Sequence, residues 1–401
     1  MNKKVMAMAV AGAFAVPGVA LAQKSTVEIY GRANLGFSHY QAKGASAGMQ
    51  NLEGRLQVFD GSSRVGFRGT EDLGSGLRAI FQIETGVNVD NGSNTGQGGQ
   101  ANASSGFWAS RDSFVGLDSN FGRLTFGRQS IYWANGVNAQ FAANYINTEL
   151  PWTNGTNLGR ISLQGASVAR VSNVVQYTTP TFAGMNLTAS YSPNAQEPVQ
   201  NSSVSDADGW LWGLTWRGTW GPFYAQADYV DVNANTPFGV GAVQPSGQAF
   251  KVGGSWGYMP GARIGLIWVR TDIDKSSGTT GGSIATGDSP RQDGFTINWE
   301  HTFGNIQVMA QYGWTDDIKS CSAATQALAS CASSASDGFM IGGRYFLSKR
   351  TWLYASYNQV NNDANQFADY TGGGITANNQ LVNTRLGADP KIWALGIFHA
   401  F

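Results

Sequence analysis

Residues 26–40 read TVEIYGRANLGFSHY, and this stretch decides the fold. Its apolar side chains recur at every second position, at Val27, Ile29, Ala33, Leu35 and Phe37. The positions between them are mostly polar, at Glu28, Tyr30, Arg32, Asn34 and Ser38. A sustained alternation of period two is typical of a β-strand with one apolar and one polar face. Its length is that of a tilted strand crossing a bilayer.

The same alternation recurs along the chain. It predicts sixteen strands, at about 26–40, 63–71, 77–84, 107–118, 122–130, 169–178, 185–193, 208–218, 222–233, 248–258, 262–273, 292–302, 305–315, 337–347, 351–361 and 389–401. Seven short links alternate with eight longer ones rich in Gly, Asn, Ser and Thr. A membrane barrel has an even number of strands, short turns at one rim and long loops at the other. The sequence therefore predicts an all-β, 16-stranded antiparallel transmembrane β-barrel rather than a large secreted β-protein.

The composition agrees with this class of protein. The chain has 401 residues with 53 glycines, and its 26 basic and 26 acidic side chains cancel. A near-neutral chain has no global attraction for nucleic acid. Beyond the N-terminal segment no apolar run is long enough for a transmembrane helix.

The N-terminal segment is predicted to be a cleaved signal peptide. Lys3 and Lys4 form a basic region, residues 5–16 are apolar, and Ala20-Leu21-Ala22 is a small-residue cleavage site. The chain is then divided into a signal peptide at residues 1–22 and one barrel at 23–401.

One of the long links differs from the others because it is rich in large apolar groups. Residues 131–168 form a connection of 38 residues, whereas connections in compact domains usually have about 2–6 residues. Disordered segments are poor in large apolar groups. This one contains Tyr132, Trp133, Phe141, Tyr145, Ile146, Leu150, Trp152 and Leu158. We therefore expect it to fold into the barrel lumen and to narrow it.

Aromatic residues recur near the strand ends, where a membrane barrel carries interfacial belts. They are Tyr30, Phe37, Tyr40, Trp216, Trp220, Tyr229, Trp256, Tyr258, Trp299, Trp314, Tyr345, Trp352 and Tyr354. The alternative is that they are ordinary core aromatics of a β-protein.

Several motifs resemble the general diffusion porins of Gram-negative outer membranes. They are Val27-Glu-Ile-Tyr-Gly-Arg32, Ser63-Arg-Val-Gly-Phe-Arg-Gly-Thr-Glu-Asp-Leu-Gly-Ser-Gly76, Phe114-Val-Gly-Leu117, Phe121-Gly-Arg-Leu-Thr-Phe-Gly-Arg128 and the ending His399-Ala-Phe401. The resemblance covers the whole predicted barrel. It implies a homotrimer in the cell outer membrane, in contact with lipid and lipopolysaccharide. It also implies that the third long loop, here 131–168, forms a constriction, and that the outer-membrane assembly machinery reads the last strand ending at Phe401.

The resemblance further implies a ladder of basic side chains at the constriction. Alternation places four arginines on the face away from lipid: Arg32, Arg64, Arg68 and Arg78. By resemblance, the constriction candidates are Arg64, Arg128 and Arg170, with Arg68 close by. Arg128 shares its parity with apolar residues, so a bulge or the start of the loop has to turn it inward.

The long loop lacks the acidic pattern that the resemblance would bring. Between 131 and 168 the only carboxylate is Glu149, and Arg160 adds a positive charge. A Pro-Glu-Phe-Gly-Gly run is absent, and Glu149-Leu-Pro-Trp152 is the nearest acidic stretch. One carboxylate does not balance several arginines, so we expect the pore to prefer anions.

The cysteines and histidines indicate a disulfide and no catalytic site. Cys321 and Cys331 bracket a loop of small residues, and an oxidising compartment favours a bond between them. A metal site would need more ligands. None of the three histidines, His39, His301 and His399, lies in a catalytic motif. We expect no enzyme activity, no metal and no cofactor.

The sequence thus predicts an outer-membrane channel for passive diffusion of small hydrophilic solutes and ions. Two alternatives stay open. The first is a substrate-selective channel for phosphate, organic acids or sugars, and the aromatic loop residues Trp133, Tyr145 and Trp152 keep a sugar channel open. The second is a non-conducting structural or adhesin-like barrel.

Overall fold

The computed structural model describes residues 25–49, 51–90, 108–131, 141, 150, 156, 158, 170–193, 210–233, 237–238, 242–243, 246–274, 289–320, 331–369 and 386–401. Sixteen strands form one sheet: β1 Ser25–Lys43, β2 Leu52–Asp60 continued by Arg64–Gly74, β3 Leu77–Gly86, β4 Ser113–Ser119, β5 Gly122–Ser130, β6 Arg170–Thr178, β7 Met185–Ser192, β8 Trp210–Trp220, β9 Phe223–Asn233, β10 Gly247–Met259, β11 Ala262–Ile273, β12 Arg291–Phe303, β13 Ile306–Thr315, β14 Ser336–Phe346, β15 Thr351–Asn362 and β16 Asp389–Ala400. A separate pair of two-residue strands, Pro237–Phe238 and Ala242–Val243, lies between β9 and β10. The expected signal peptide lies outside the described residues and stays a prediction.

The sheet closes on itself. Each strand pairs antiparallel with its neighbours along the chain, and β1 pairs with β16 as well as with β2. At this seam Arg32 stands opposite Ala400 and Lys43 opposite Asp389. Closure removes the unpaired edges that a bilayer does not tolerate. The prediction of a 16-stranded antiparallel barrel is confirmed.

The second strand is longer than the sequence predicted. The prediction covered only 63–71 and assigned no strand to Leu52–Asp60, yet both segments pair with β1. Between them the chain bends at Ser62, whose φ of 69° lies in the left-handed region. Asn34 of β1 holds this bend, because its backbone carbonyl oxygen accepts a hydrogen bond from Gly61 N at 2.6 Å and its side-chain Nδ2 donates to Gly61 O at 2.8 Å. The break hid the first half of the strand from an analysis based on alternation.

The strands are apolar outside and polar inside. Large apolar side chains such as Val27 and Leu266 are 68% and 62% exposed, whereas Asn298 and Gln311 are 1% and 3% exposed. This is the arrangement of a barrel whose outer face meets lipid and whose lumen is polar. Among the residues that the structure describes, no helix is long and apolar enough to cross a membrane.

The two rims of the barrel differ in their links. Seven tight links, from Gly74–Leu77 to Phe346–Thr351, lie at one end, called here the short-turn rim. The longer links lie at the other end, the long-loop rim. Phe401 lies at the short-turn rim, where its backbone exchanges hydrogen bonds of 3.1 and 3.2 Å with Gly31. A Cβ on Gly31 would lie 2.5 Å from the Phe401 ring, so a glycine at this position makes room for the terminal side chain.

Outward-facing aromatic side chains contact one another near both rims. Near the short-turn rim, Phe223 stacks on Trp256 with centroids 6.2 Å apart, and Trp299 Nε1 donates to the Tyr258 hydroxyl at 2.9 Å. Near the long-loop rim the ring pairs are Trp212–Tyr229, Phe250–Trp268, Phe295–Trp314 and Phe339–Tyr357. Two such rows are typical of aromatic belts at membrane interfaces.

Four aromatics that the sequence analysis assigned to the belts face the lumen instead: Tyr30, Tyr40, Trp352 and Tyr354. The Tyr354 hydroxyl donates to Asn34 Oδ1 at 2.8 Å, and that of Tyr40 donates to Asp369 Oδ2 at 2.8 Å. Nearness to a strand end does not distinguish the two faces of a strand, and only the parity of the position does.

Candidate functional site in the barrel lumen

Five charged side chains form an ion-pair network on the inner wall of β2–β6, called here the arginine network: Arg64, Glu84, Arg111, Asp112 and Arg170. Glu84 is its centre. One carboxylate oxygen accepts a hydrogen bond from Arg111 Nε, and the other lies 3.7 Å from Arg64 Nε. The side chains of Glu84 and Arg111 are only 7% and 10% exposed. A buried charge without a partner is strongly destabilising, so buried ions of the barrel wall are expected to be paired in this way.

Local strand geometry brings Glu84 to this position. Glu84 stands opposite Gly66 of β2, and the space that a Gly66 side chain would fill holds the Tyr30 ring. A Cβ on Gly66 would lie 2.5 Å from Tyr30 Cζ. The Tyr30 hydroxyl donates to Glu84 Oε2 at 3.0 Å, so Gly66 makes room for the residue that orients the central carboxylate.

Asp112 forms the second pair of the network. Its Oδ2 lies 2.6 Å from Arg170 Nε, and its Oδ1 accepts hydrogen bonds of 2.8 and 2.9 Å from the backbone N and Oγ of Ser130. Burial alone raises the pKa of the Asp112 carboxyl, but the Arg170 guanidinium and the Ser130 backbone bond outweigh it and hold that pKa below its usual value. The Asp112 carboxylate therefore stays ionised at neutral pH.

Arg128 lies at an irregularity between two strands. Such an irregularity was expected, because regular alternation would place Arg128 on the outer face with Leu124 and Phe126. The register between β5 and β6 shifts between Gly127 and Gln129, and Asn173 on the opposite strand has a positive φ of 59°. The Arg128 Nη1 donates to Ser172 Oγ at 2.8 Å, and its Nε donates to Ser110 O at 3.2 Å. Ser110 directly precedes Arg111, so Arg128 adjoins the arginine network.

Arg32 adjoins the network from the other side. It stands opposite Arg64 in the β1–β2 register, and its Nε donates to Ser62 O at 2.9 Å. Its Cζ lies 5.6 Å from the Phe398 ring centroid.

Two predicted pore arginines lie nearer the short-turn rim. Arg68 pairs with Glu28 at 2.8 Å and lies 5.0 Å over the Tyr30 ring, with about half of its side chain exposed. Arg78 pairs with Asp118, beside the tight links at the strand ends. Arg68, which was expected close to the constriction, therefore has its own partner and does not pair with Glu84.

Two members of the network, Arg111 and Asp112, were missed by the sequence analysis. They lie just before β4, in a stretch predicted to be part of the strand 107–118, where alternation gave them no special role. Adjacent opposite charges next to a strand that crosses a bilayer were the available signal, because a bilayer does not accept unpaired charges.

The described residues of the long loop contact the opposite wall. Phe141 packs with Ile267 and Val269 of β11, and a Cβ on Gly265 would lie 2.5 Å from the Phe141 ring. The other contacts are Leu150 N to Gln311 Oε1 at 3.1 Å, Thr156 Oγ1 to Thr271 Oγ1 at 2.8 Å, and Leu158 N to Gln292 Oε1 at 2.9 Å. These partners occupy inward positions on β11–β13, about half a turn around the barrel from Glu84. The predicted site residues Glu149 and Arg160 lie outside the described residues.

Cys331 is disulfide-bonded. The predicted partner, Cys321, lies outside the described residues, so the bond between these two cysteines stays a prediction. In the part of the chain that the structure describes, no three His, Cys, Asp or Glu side chains are grouped to hold a metal ion.

Curated proteins similar to this chain are outer-membrane porins. An outer membrane porin protein of Bordetella pertussis is 28% identical over 396 residues, which cover 91% of this chain and 95% of that protein. The outer membrane porin protein 32 of Delftia acidovorans is 27% identical over 409 aligned positions and covers both chains completely.

Solved structures give the same fold. An anion-selective porin from Comamonas acidovorans superposes with a TM-score of 0.66 at 22% identity, covering 94% of this chain and 100% of that one. The family profile described as Gram-negative porin matches residues 7–365. With its closed sixteen-stranded barrel, the chain belongs to the Gram-negative porin family, whose members are outer-membrane channels and not enzymes.

Proposed function

We propose that this porin forms a water-filled channel for the passive diffusion of small hydrophilic solutes and ions, and that it prefers anions. The observation that carries this proposal is the arginine network, in which Arg64, Arg111 and Arg170 outnumber Glu84 and Asp112. Arg128 and Arg32 adjoin the network and add positive charge to the same wall.

An excess of fixed positive charge acts on permeating ions through simple electrostatics. A lumen bounded by a low-dielectric wall focuses the field, raising the local anion concentration and lowering that of cations. Guanidinium groups suit this role because they stay protonated at every physiological pH. In water, a unit charge about 4 Å away contributes about 1 kcal/mol, or roughly fivefold in local ion occupancy.

The long loop would concentrate this effect by narrowing the lumen. Its two ends leave the wall at β5 and β6, beside the arginine network, while Phe141, Leu150 and Leu158 contact inward positions on β11–β13. The described residues Phe141, Leu150 and Leu158 thus lie inside the lumen, on the wall away from the arginine network. We infer that the narrowest point lies between this loop and the arginines.

The outer surface supports a proposal about assembly. The aromatic contacts lie mainly on β8–β15, whereas the exposed side chains of β1, β2 and β4 are largely aliphatic, as at Val27, Ile29, Leu56, Val58, Val115 and Leu117. We propose a homotrimer that buries this aliphatic face, with lipid and lipopolysaccharide around the remainder. Phe401 at the short-turn rim is the proposed signal to the outer-membrane assembly machinery.

The anion-selective porin of Comamonas acidovorans has the same fold, but at 22% identity its selectivity is not evidence for this chain. The proposal rests on the charges of this chain. Reversal potentials of the refolded protein in a planar bilayer under a KCl gradient test it. A potential near the chloride equilibrium value is expected, and one near the potassium value would overturn the anion preference.

The same recordings separate general diffusion from the alternatives. Conductance that rises with solute concentration without saturation supports a general channel. Saturation by one solute would instead support a substrate-selective channel, and complete absence of channel steps would support a structural barrel.

A further inference from the structure

Five side chains on four neighbouring strands form a stack on the inner wall near the short-turn rim. They are Arg344 and Phe346 of β14, Trp352 of β15, Phe398 of β16 and Arg32 of β1, called here the stacked strip. The rings of Trp352 and Phe398 are nearly parallel, with centroids 3.8 Å apart. Each of these rings also carries a guanidinium, with Arg344 Cζ at 4.8 Å from Trp352 and Arg32 Cζ at 5.6 Å from Phe398. Cation–π contacts of this kind hold a guanidinium in a defined orientation.

The strip faces the lumen and not the lipid. Trp352 and Phe398 stand opposite each other in the register and are 8% and 4% exposed. Their outward neighbours Leu353 and Ile397 are 45% and 46% exposed. The stacked strip is therefore not part of the outward-facing aromatic belts, although Trp352 lies near a strand end.

The strip continues the arginine network around the wall. Arg32 belongs to the strip and stands opposite Arg64, which belongs to the network. Guanidinium groups thus line the inner wall from β14 through β1 to β6. An anion leaving the network toward the short-turn rim meets Arg32 and then Arg344.

Trp352 carries a hydrogen-bond donor that nothing in the described structure satisfies. Its Nε1 is buried and has no hydrogen-bond partner. A buried donor without a hydrogen-bond partner is unfavourable, so we expect an acceptor to bind at this N–H group. The neighbouring Arg344 guanidinium is oriented by its Nε, which donates to Gln307 Oε1 at 2.6 Å. An acceptor bound to the Trp352 Nε1 would also lie beside the Arg344 guanidinium, whose Cζ is 4.8 Å from the Trp352 ring centroid.

We propose that Trp352 and Arg344 form a second anion-binding site at the short-turn rim of the lumen, separated from Arg32 and the arginine network by the Phe398 ring. Its ligand is the oxyanion of a carboxylate or phosphate group, because planar guanidinium and indole donors match oxygen acceptors with directed lone pairs. The inference rests on the proposed channel function. In that channel, a permeating anion that has passed the arginine network binds a second time at the short-turn rim.

The test is a titration of single-channel chloride current with inorganic phosphate, using the refolded mature protein in planar bilayers. Trp352→Phe keeps the ring and the stack but removes the N–H donor. Arg344→Lys keeps the charge but removes the planar donor fork. Trp299→Phe is the matched control, because Trp299 faces outward and its Nε1 already donates to Tyr258. A parallel titration with acetate compares carboxylate with phosphate.

Loss of one donor to a charged acceptor is expected to weaken the apparent phosphate or acetate affinity by about threefold to tenfold in Trp352→Phe and Arg344→Lys. Trp299→Phe is expected to match the unmodified protein. Equal affinities in all four proteins, or an unmodified channel that neither anion blocks, would overturn the site. The reversal potential measured on the same channels tests the anion preference separately. A cation-selective channel whose phosphate block weakens in Trp352→Phe would reject the preference and keep the site.

Discussion

Arg170 and Asp112 join the far end of the long loop to the start of β4, with Arg170 Nε 2.6 Å from Asp112 Oδ2. Both side chains are partly buried, and Ser130, the last residue of β5, donates twice to the same carboxylate. Asp112 therefore connects the residue before the long loop with the first strand residue after it. The ion pair that contributes charge to the lumen wall thus also holds the two ends of the long loop together.

Substitutions on the two sides of this pair are expected to shift ion selectivity in opposite directions. Arg170→Gln removes a positive charge and leaves Asp112 unpaired, so anion preference falls. Asp112→Asn removes the negative charge and keeps Arg170, so anion preference rises. Each change is expected to destabilise the barrel by about 1–3 kcal/mol, between the values for exposed and buried pairs. Reversal potentials under a KCl gradient and unfolding in guanidinium chloride measure the two effects, and shifts of the same sign would contradict the role of the pair.

Arg64 and Arg68 are expected to differ although both face the lumen from β2. Arg64→Gln removes a cation from the arginine network and lowers anion preference. Arg68→Gln breaks a largely exposed pair with Glu28, which solvent screens and which therefore contributes little to stability, and it changes selectivity less. Because the two variants share strand, face and chemistry, each controls for the other. A larger selectivity shift in Arg68→Gln would mean that the narrow point lies nearer the short-turn rim.

Gly265 is expected to control the position of the loop. A Cβ at this residue would lie 2.5 Å from the Phe141 ring and 2.8 Å from Gly254 O, so Gly265→Ala pushes Phe141 off the wall toward the lumen. We expect a lower single-channel conductance and a stability cost of about 1–3 kcal/mol. Gly257→Ala is the control, since its nearest Cβ contact would be an ordinary 3.7 Å. Equal conductance in the two variants would show that Phe141 does not set the pore size.

The selectivity of the channel is expected to change in acid, as Asp112 gains its proton. The pKa of Asp112 is held below its usual value, so the carboxylate stays charged as pH falls through the ordinary aspartate range of about 4. Below that range the carboxyl gains its proton, the wall becomes more positive, and anion preference rises. The stability that the charged carboxylate contributes is present above the unfolded pKa and is lost as pH falls through the lower folded pKa. Reversal potentials of unmodified protein and Asp112→Asn, measured between neutral pH and about pH 3, test this, and the rise in anion preference should be smaller in the variant.

The sequence predicted the barrel well because strand alternation and link length are local properties. The stretch 26–40 already shows which side chains of β1 face lipid, and the same rule places Arg64 and Glu84 on the inner face. The rule fails where the backbone departs from it. The bend at Ser62 hid Leu52–Asp60, and the orientation of Arg128 depends on a register shift that alternation does not contain.

The charge partners were harder to predict than the strands. Arg111 lies 27 residues from Glu84 in sequence and Asp112 lies 58 residues from Arg170, and only the pairing of the neighbouring strands β3–β6 brings them together. Trp352 was assigned to the lipid interface because it lies near a strand end, but its parity places it inside, against Phe398. The alternation of positions along the strand indicates the correct face for Trp352, whereas its nearness to the rim indicated the wrong one.

The backbone hydrogen bonds between Gly31 and Phe401 also have a consequence for folding. They join residues 370 positions apart, so the seam has nearly the highest sequence separation that the chain allows. Contacts of such separation form slowly, because the entropy of closing the ring is lost before the contact stabilises anything. Until then β1 and β16 both expose open edges that can pair with other chains. Formation of this seam is therefore the step at which a folding catalyst or a chaperone would have the greatest effect.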